Sequence, residues 1–236
     1  MDTIVASQRH PGPTANAIRI QRSVLTTLEK RTLIWLATRL PRAIHSDHLT
    51  GLALAAMVGA GLSYWLARYT PIGLVLVVFF LMLNWFGDSL DGTVARVRQC
   101  QRPRYGYYVD HIVDAVGAVC LFGGLAASGL MSAPVAAVLL IAYCLLCLEV
   151  YLATVSLGEF RMSFFGVGPT ELRIILAIGN LVVWIRPHSV IFGHTFQLFD
   201  VGGVVGAVGL VVTFIYSALR NTRTLYLAEP LPPRAE

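Results

Sequence analysis

Four aspartates stand at fixed spacing in otherwise apolar sequence: Asp88 and Asp91, then Asp110 and Asp114. Their frame is Asp88-x-x-Asp91-Gly92-x-x-Ala95-Arg96, a gap, then Gly106-x-x-x-Asp110-x-x-x-Asp114. A charged group at membrane depth is costly and therefore marks function by default. Carboxylates cannot neutralise one another, so a group of four calls for cations, and divalent metals are the natural ones. Spacings of three and four put Asp88, Asp91 and Ala95 on one helix face, and Asp110 with Asp114 on one face of the next helix. The connection between the two is short and basic, which makes the helices antiparallel neighbours. All four carboxylates are then expected at one end of the pair. Such an oxygen cage suits Mg²⁺ or Mn²⁺. Two ions held this way can clamp the attacking and leaving oxygens of a phosphoryl displacement.

Gly92 and Arg96 extend the pattern. A glycine inside a helix costs about 1 kcal/mol against alanine, so Gly92 serves either the close approach of a ligand or close helix packing. Ala95 keeps the same wall low. Arg96 is a fixed cation one turn from the acids, suited to a phosphate or to a carboxylate partner.

The elements that must position these groups are membrane helices. The chain is 56% hydrophobic and 13% charged, against roughly 25% charged for a soluble domain. Several stretches lack charge over about the 18 residues that a spanning helix needs. Six spans are expected, at about 49–68, 72–97, 107–128, 134–156, 171–186 and 201–219. The fold class is thus all-α and integral to the membrane. Residues 1–16, with Pro11 and Pro13, are expected to be disordered, and 221–236 to form a polar tail. Residues 17–41 read as an amphipathic surface helix with Val24, Leu25, Leu28, Trp35 and Leu36 on one face, ended by Pro41. The six-helix domain then covers 42–220. The first 20 residues lack a compact apolar stretch, so the first span is expected to act as an uncleaved insertion signal.

The basic residues, 17 of the 18 being arginine, flank the apolar runs. That suits topology and headgroup contacts and argues against a nucleic-acid partner. Arg68 and Arg186 fall on one side and the other loop arginines on the opposite side. Both termini and the aspartates are therefore expected to face the cytoplasm, in a plasma or bacterial inner membrane. The four cysteines read as small packing residues.

The frame resembles the signature of the CDP-alcohol phosphotransferases, D-x-x-D-G-x-x-A-R followed by G-x-x-x-D-x-x-x-D, and every defining position is present. The resemblance implies a membrane enzyme of phospholipid synthesis, in which a CDP-linked donor passes its phosphoryl-alcohol part to an acceptor hydroxyl with release of CMP. It implies that Asp88 and Asp110 bridge two metals, that Asp91 binds the first and Asp114 the second, and that Asp114 is the general base. It implies that Gly92, Ala95, Arg96 and Gly106 line the CDP site, and that the protein is a homodimer. His45-Ser46-Asp47-His48-Leu49-Thr50 stands where the family usually has Thr-Pro-Asn.

The donor is open between CDP-diacylglycerol and a CDP-amino alcohol, and the acceptor between a lipid and a small alcohol. Asp114 is followed by Ala115, not by the lysine of the glycerol-phosphate branch, and Asp110-His111 is similar to the choline and ethanolamine enzymes. Arg161 and Arg173 could bind an acceptor phosphate; Glu149 could face an amine or partner an arginine. Glu171, after Thr170, is either an acceptor contact or a helix-start acid with Thr170 as cap. The alternative to an enzyme is a transporter using the aspartates as a cation path, although ion passage needs neither Gly92 nor Arg96. A catalytically silent scaffold of the same fold is a third reading.

Overall fold

The structure is a computed structural model and describes residues 18–20, 26–161, 168–229 and 231. Its elements run β1 (Ile18–Ile20), α1 (Thr26–Arg39), α2 (Ser46–Ala67), α3 (Ile72–Val97), α4 (Pro103–Ser128), α5 (Ala133–Leu157), β2 (Glu159–Arg161), α6 (Pro169–Ile185), β3 (His188–Ile191), β4 (His194–Gln197) and α7 (Leu198–Ala228). Among the described residues, five helices are long and apolar enough to cross a membrane: α2, α3, α4, α5 and α7. The expected fifth span, α6, has 17 residues. At 1.5 Å per residue it reaches about 25 Å, and its length is at the lower end of the roughly 17–25 residues that a crossing helix uses.

Local chemistry places the helix ends. Pro103 and Pro169 occupy first-turn positions of α4 and α6, where a missing N–H costs nothing. Gly129 and Gly158, both left-handed, close α4 and α5, as expected at a helix C-terminus. Between β3 and β4, Phe192 and Gly193 both have positive φ. A two-residue hairpin turn requires this, and the sequence carries no Asn-Gly to announce it.

The helices pack as α2 against α3 and α4, α5 against α4 and α7, and α3 against α6 and α1. Ala60, Tyr64, Val77, Leu81, Leu121 and Leu125 fill the main core. A Cβ on Gly124 would lie 2.1 Å from the Gly61 carbonyl oxygen, and one on Gly61 would lie 2.3 Å from that of Cys120. Only glycine lets α2 and α4 come this close. A second cluster joins Leu33 and Ala37 of α1 to Leu49, Leu90 and Val94.

Three expectations are corrected. The surface helix does not start at 17: Ile18–Ile20 form a strand parallel to Glu159–Arg161, and a run of β-compatible side chains takes a partner when one lies alongside. The buried face of α1 is Leu33 and Ala37, whereas Trp35 is 53% exposed. Val24, Leu25 and the Leu28 side chain lie outside the described residues, as do residues 1–16. Lastly, the polar tail does not begin at 221, because α7 continues to Ala228 and its Asn221 finds a partner on α5.

Candidate metal centre and phosphotransfer site

α3 and α4 are not the neighbouring pair that their short connection suggested: each packs on α2, and it is the carboxylates of their facing ends that come together. Asp88, Asp110 and Asp114 each offer a carboxylate oxygen there, all within 4.8 Å of one another. These oxygens fit a hard divalent cation. Asp91 stands apart from this trio. It is buried, one of its oxygens accepts from Thr50 Oγ1 at 2.6 Å, and the other accepts from the N–H of Gly92. The expected convergence of four carboxylates is therefore one of three, with Asp91 satisfied by neighbouring donors. Ser46 Oγ adds a bond of 2.9 Å to the Asp91 carbonyl. The Ser46–Thr50 stretch thus braces Asp91 from the start of α2.

One cation enters the cluster from outside the motif. Arg173 of α6 donates from Nη2 to Asp88 at 2.5 Å and from Nε to Asn84 Oδ1 at 2.8 Å. Asn84 also donates to the Ala53 carbonyl. Arg173 and Asp88 are only 18% and 21% exposed, so the pair is shielded and the charge of Asp88 is met by protein. α5 also borders the cluster: its Tyr151 ring lies 4.3 Å from that of His111, the neighbour of Asp110.

Gly92 faces open space except for Arg96: a Cβ there would lie 3.2 Å from Arg96 Nη1. Its role is not helix packing, which falls instead to Gly87, where a Cβ would meet the Leu49 carbonyl at 2.6 Å. Arg96 is exposed and donates to Thr93 Oγ1 at 3.0 Å. Ala95 is half-buried beside it, and Gly106 is exposed one turn before Asp110 with nothing near its Cβ position. Across the connection, Asp47 pairs with Arg102. The hydrogen bond that Arg102 donates to Asp47 holds that guanidinium above its ordinary pKa and ties the start of α2 to the start of α4.

Residues 44–215 match the family model for CDP-alcohol phosphatidyltransferase. The chain belongs to the CDP-alcohol phosphatidyltransferase family. It is accordingly an integral membrane transferase of phospholipid synthesis. Among solved structures it is similar to Mycobacterium tuberculosis phosphatidylinositol phosphate synthase (PgsA1) with CDP-DAG bound. The two share 20% identity and a TM-score of 0.56 over 83% of this chain and 94% of that one. At that identity the likeness is one of fold. Among curated proteins none matches in sequence.

Within this family member, the residues read as acceptor contacts take separate places. His111 Nδ1 lies 2.6 Å from the Tyr107 carbonyl. A carbonyl only accepts, so Nδ1 carries the proton. The ring is tilted against Tyr107 and edge-on to Tyr151, with centroids at 4.1 and 4.3 Å. Glu149 is buried at the α5–α7 interface and accepts from Asn221 Nδ2 at 2.6 Å. The Arg161 side chain is outside the described residues. Glu171 accepts from the Gly168 N–H at 2.9 Å, so it is a helix-start acid. Thr170 is not the cap; its hydroxyl donates to Glu29 at 2.7 Å.

Asn84, Glu29 and Trp85 were not legible as site residues. Asn84 stands one turn before Asp88 in an apolar run, which was a usable signal. Glu29 had none, because its partners are 56 or more positions away.

Proposed function

We propose that this protein transfers a phosphoryl-alcohol group from a CDP-linked donor to an acceptor hydroxyl and releases CMP. The observation that carries this is the gathering of Asp88, Asp110 and Asp114 within 4.8 Å, beside an open Gly92–Arg96 surface. Asp88, Asp110 and Asp114 would hold two divalent cations, Mg²⁺ or Mn²⁺, and Asp91 would join them as a fourth ligand through the lone pairs that its bonds to Thr50 and Gly92 leave unused. When bound, such ions neutralise the diphosphate and make the acceptor hydroxyl more acidic.

The chain's own groups do the rest. Gly92 and Ala95 keep the wall low so that the CDP part can lie against α3, and Arg96 pairs with its phosphate oxygens. Asp114 takes the proton of the acceptor hydroxyl. The acceptor oxygen bonds to the phosphorus that carries the donor's alcohol, and the bond from that phosphorus to the oxygen of CMP breaks. Arg173 balances the charge on Asp88 and holds its carboxylate in place. The α5 wall, with its tyrosines and without Lys or Arg, fits an unphosphorylated acceptor better than a phosphorylated one. The donor we favour is CDP-diacylglycerol, because the similar mycobacterial structure holds CDP-DAG. A CDP-amino alcohol acting on a lipid acceptor is the other pairing. The excess of loop arginines supports a cytoplasmic site and, with α6 counted as a sixth crossing, cytoplasmic termini, and the working form is a homodimer.

The test is CMP release by purified protein in nanodiscs with Mn²⁺. CDP-diacylglycerol is offered with a panel of polar alcohols, and CDP-choline or CDP-ethanolamine with diacylglycerol. Release in one pairing names the reaction. Silence across the panel counts against the assignment.

A further inference from the structure

Helix α1 lies alongside the stretch of α3 that carries Asp88 and Asp91, and it is fastened there at three levels. At its start, Glu29 accepts from the Trp85 indole Nε1 at 2.9 Å and from Ser89 Oγ at 3.5 Å, both on α3, and from Thr170 Oγ1 of α6 at 2.7 Å. In the middle, Leu33 and Ala37 share a buried cluster with Leu90 and Val94. At its end, the Arg98 guanidinium donates to the carbonyls of Leu40, Pro41 and Ile44 at 2.8, 3.1 and 2.6 Å.

The partners of Glu29 are placed tellingly. Ser89 follows Asp88 directly, Trp85 follows Asn84, and Thr170 lies three residues before Arg173. One carboxylate therefore joins the two backbone segments whose side chains form the Asn84–Arg173–Asp88 link. Side chains that orient ligating carboxylates through a second layer of hydrogen bonds tune metal affinity as strongly as many direct ligands.

We propose that Glu29 is a positioning residue: it locks α3 and α6 in the relative setting that gives Asp88 its place in the carboxylate trio. This rests on the metal-dependent reading of the site. The surface helix is then a working part of the centre and not only an anchor on the membrane.

The experiment uses the full chain in nanodiscs. The Mn²⁺ midpoint is read twice, from the rise in melting temperature without substrate and from CMP release. Glu29→Ala is expected to raise both midpoints about 10-fold and to lower kcat more than it raises KM. Glu29→Gln keeps an acceptor oxygen for all three donors and is expected to stay within about 3-fold of wild type. Trp85→Phe removes one donor and is expected to shift the midpoints in the same direction by less. It serves if Glu29→Ala does not fold. A Glu29→Ala or Trp85→Phe protein that melts lower at every Mn²⁺ concentration with an unmoved midpoint overturns the proposal, as does a Glu29→Gln protein as impaired as the alanine variant. If wild type is stabilised by Mn²⁺ yet releases no CMP, the reaction is misread while the melting titration still decides the role of Glu29. A wild-type protein indifferent to Mn²⁺ overturns both.

Discussion

The two ends of the helix bundle are built on opposite principles. Toward the α2–α3 and α4–α5 turns, backbones nearly touch through Gly61 and Gly124, and Tyr64, Val77 and Leu125 are almost wholly enclosed. Among the described residues, the polar links at that end are few and neutral or capping: Asn180 Nδ2 donates to Tyr64 Oη at 2.9 Å, the Ser132 N–H to Asp200 at 2.6 Å and Gln197 Nε2 to the Gly129 carbonyl at 2.9 Å. Toward the α3–α4 turn, carboxylates crowd together, held by Arg173, Asn84, Thr50 and Glu29, and Gly92 faces open space. The first end gains stability from contact area and tight packing. The second end gathers like charges, which repel until cations arrive. The comparison teaches that glycine in this sequence has two meanings, told apart only by what a Cβ would meet: backbone at Gly61 and Gly124, a flexible arginine at Gly92.

This contrast can be broken in order of expected effect. Asp114→Asn should lower turnover by about 10³-fold, in the range for loss of a general base, with a melting temperature at or above wild type because one repelling charge is gone. A matching fall in melting temperature would make Asp114 a structural residue. Arg173→Gln should cost about 10²-fold in turnover and make the metal-free protein unstable relative to the Mn²⁺-loaded one, since breaking a shielded pair leaves its partner uncompensated. Melting curves with and without Mn²⁺ read this directly, and an unchanged gap between them counts against it. Gly124→Leu should destabilise by about 3 kcal/mol, as overpacking does. The Mn²⁺ midpoint of whatever folds should stay put, and a moved midpoint would show that the two ends are coupled. Smallest is Gly92→Ala. It should leave stability unchanged or raise it by up to about 1 kcal/mol, while KM for the CDP donor rises about 5-fold through the displaced Arg96. A donor titration checks it, and a large loss of stability would return Gly92 to a packing role.

What the sequence made legible follows the range of the forces involved. The expected side-by-side α3–α4 pair is not formed, because each helix packs on α2 instead, whereas the span boundaries of α3 rest on local hydropathy and were readable. So was Glu171 as a helix-start acid, a local contact within one turn. Thr170 was misread as the cap because its hydroxyl bonds to Glu29, 141 positions away. Ile18–Ile20 were misread as helix because their strand partner lies at 159–161. Asp91 was expected with the other three carboxylates, and helical spacing does favour that. It is held instead by Thr50, whose place beside it depends on how α2 packs on α3. Long-range partners settle these points, and a single sequence does not display them.

The central claim is that the carboxylate trio binds divalent metal for CMP release. The most direct test is Mn²⁺ binding by electron paramagnetic resonance on purified protein in nanodiscs, comparing wild type with Asp110→Asn. The account predicts saturable binding of about two Mn²⁺ per chain in wild type, at least 10-fold weaker binding in the variant, and CMP release that tracks occupancy. Equal Mn²⁺ binding by the two proteins, or CMP release that persists after chelation, would contradict it.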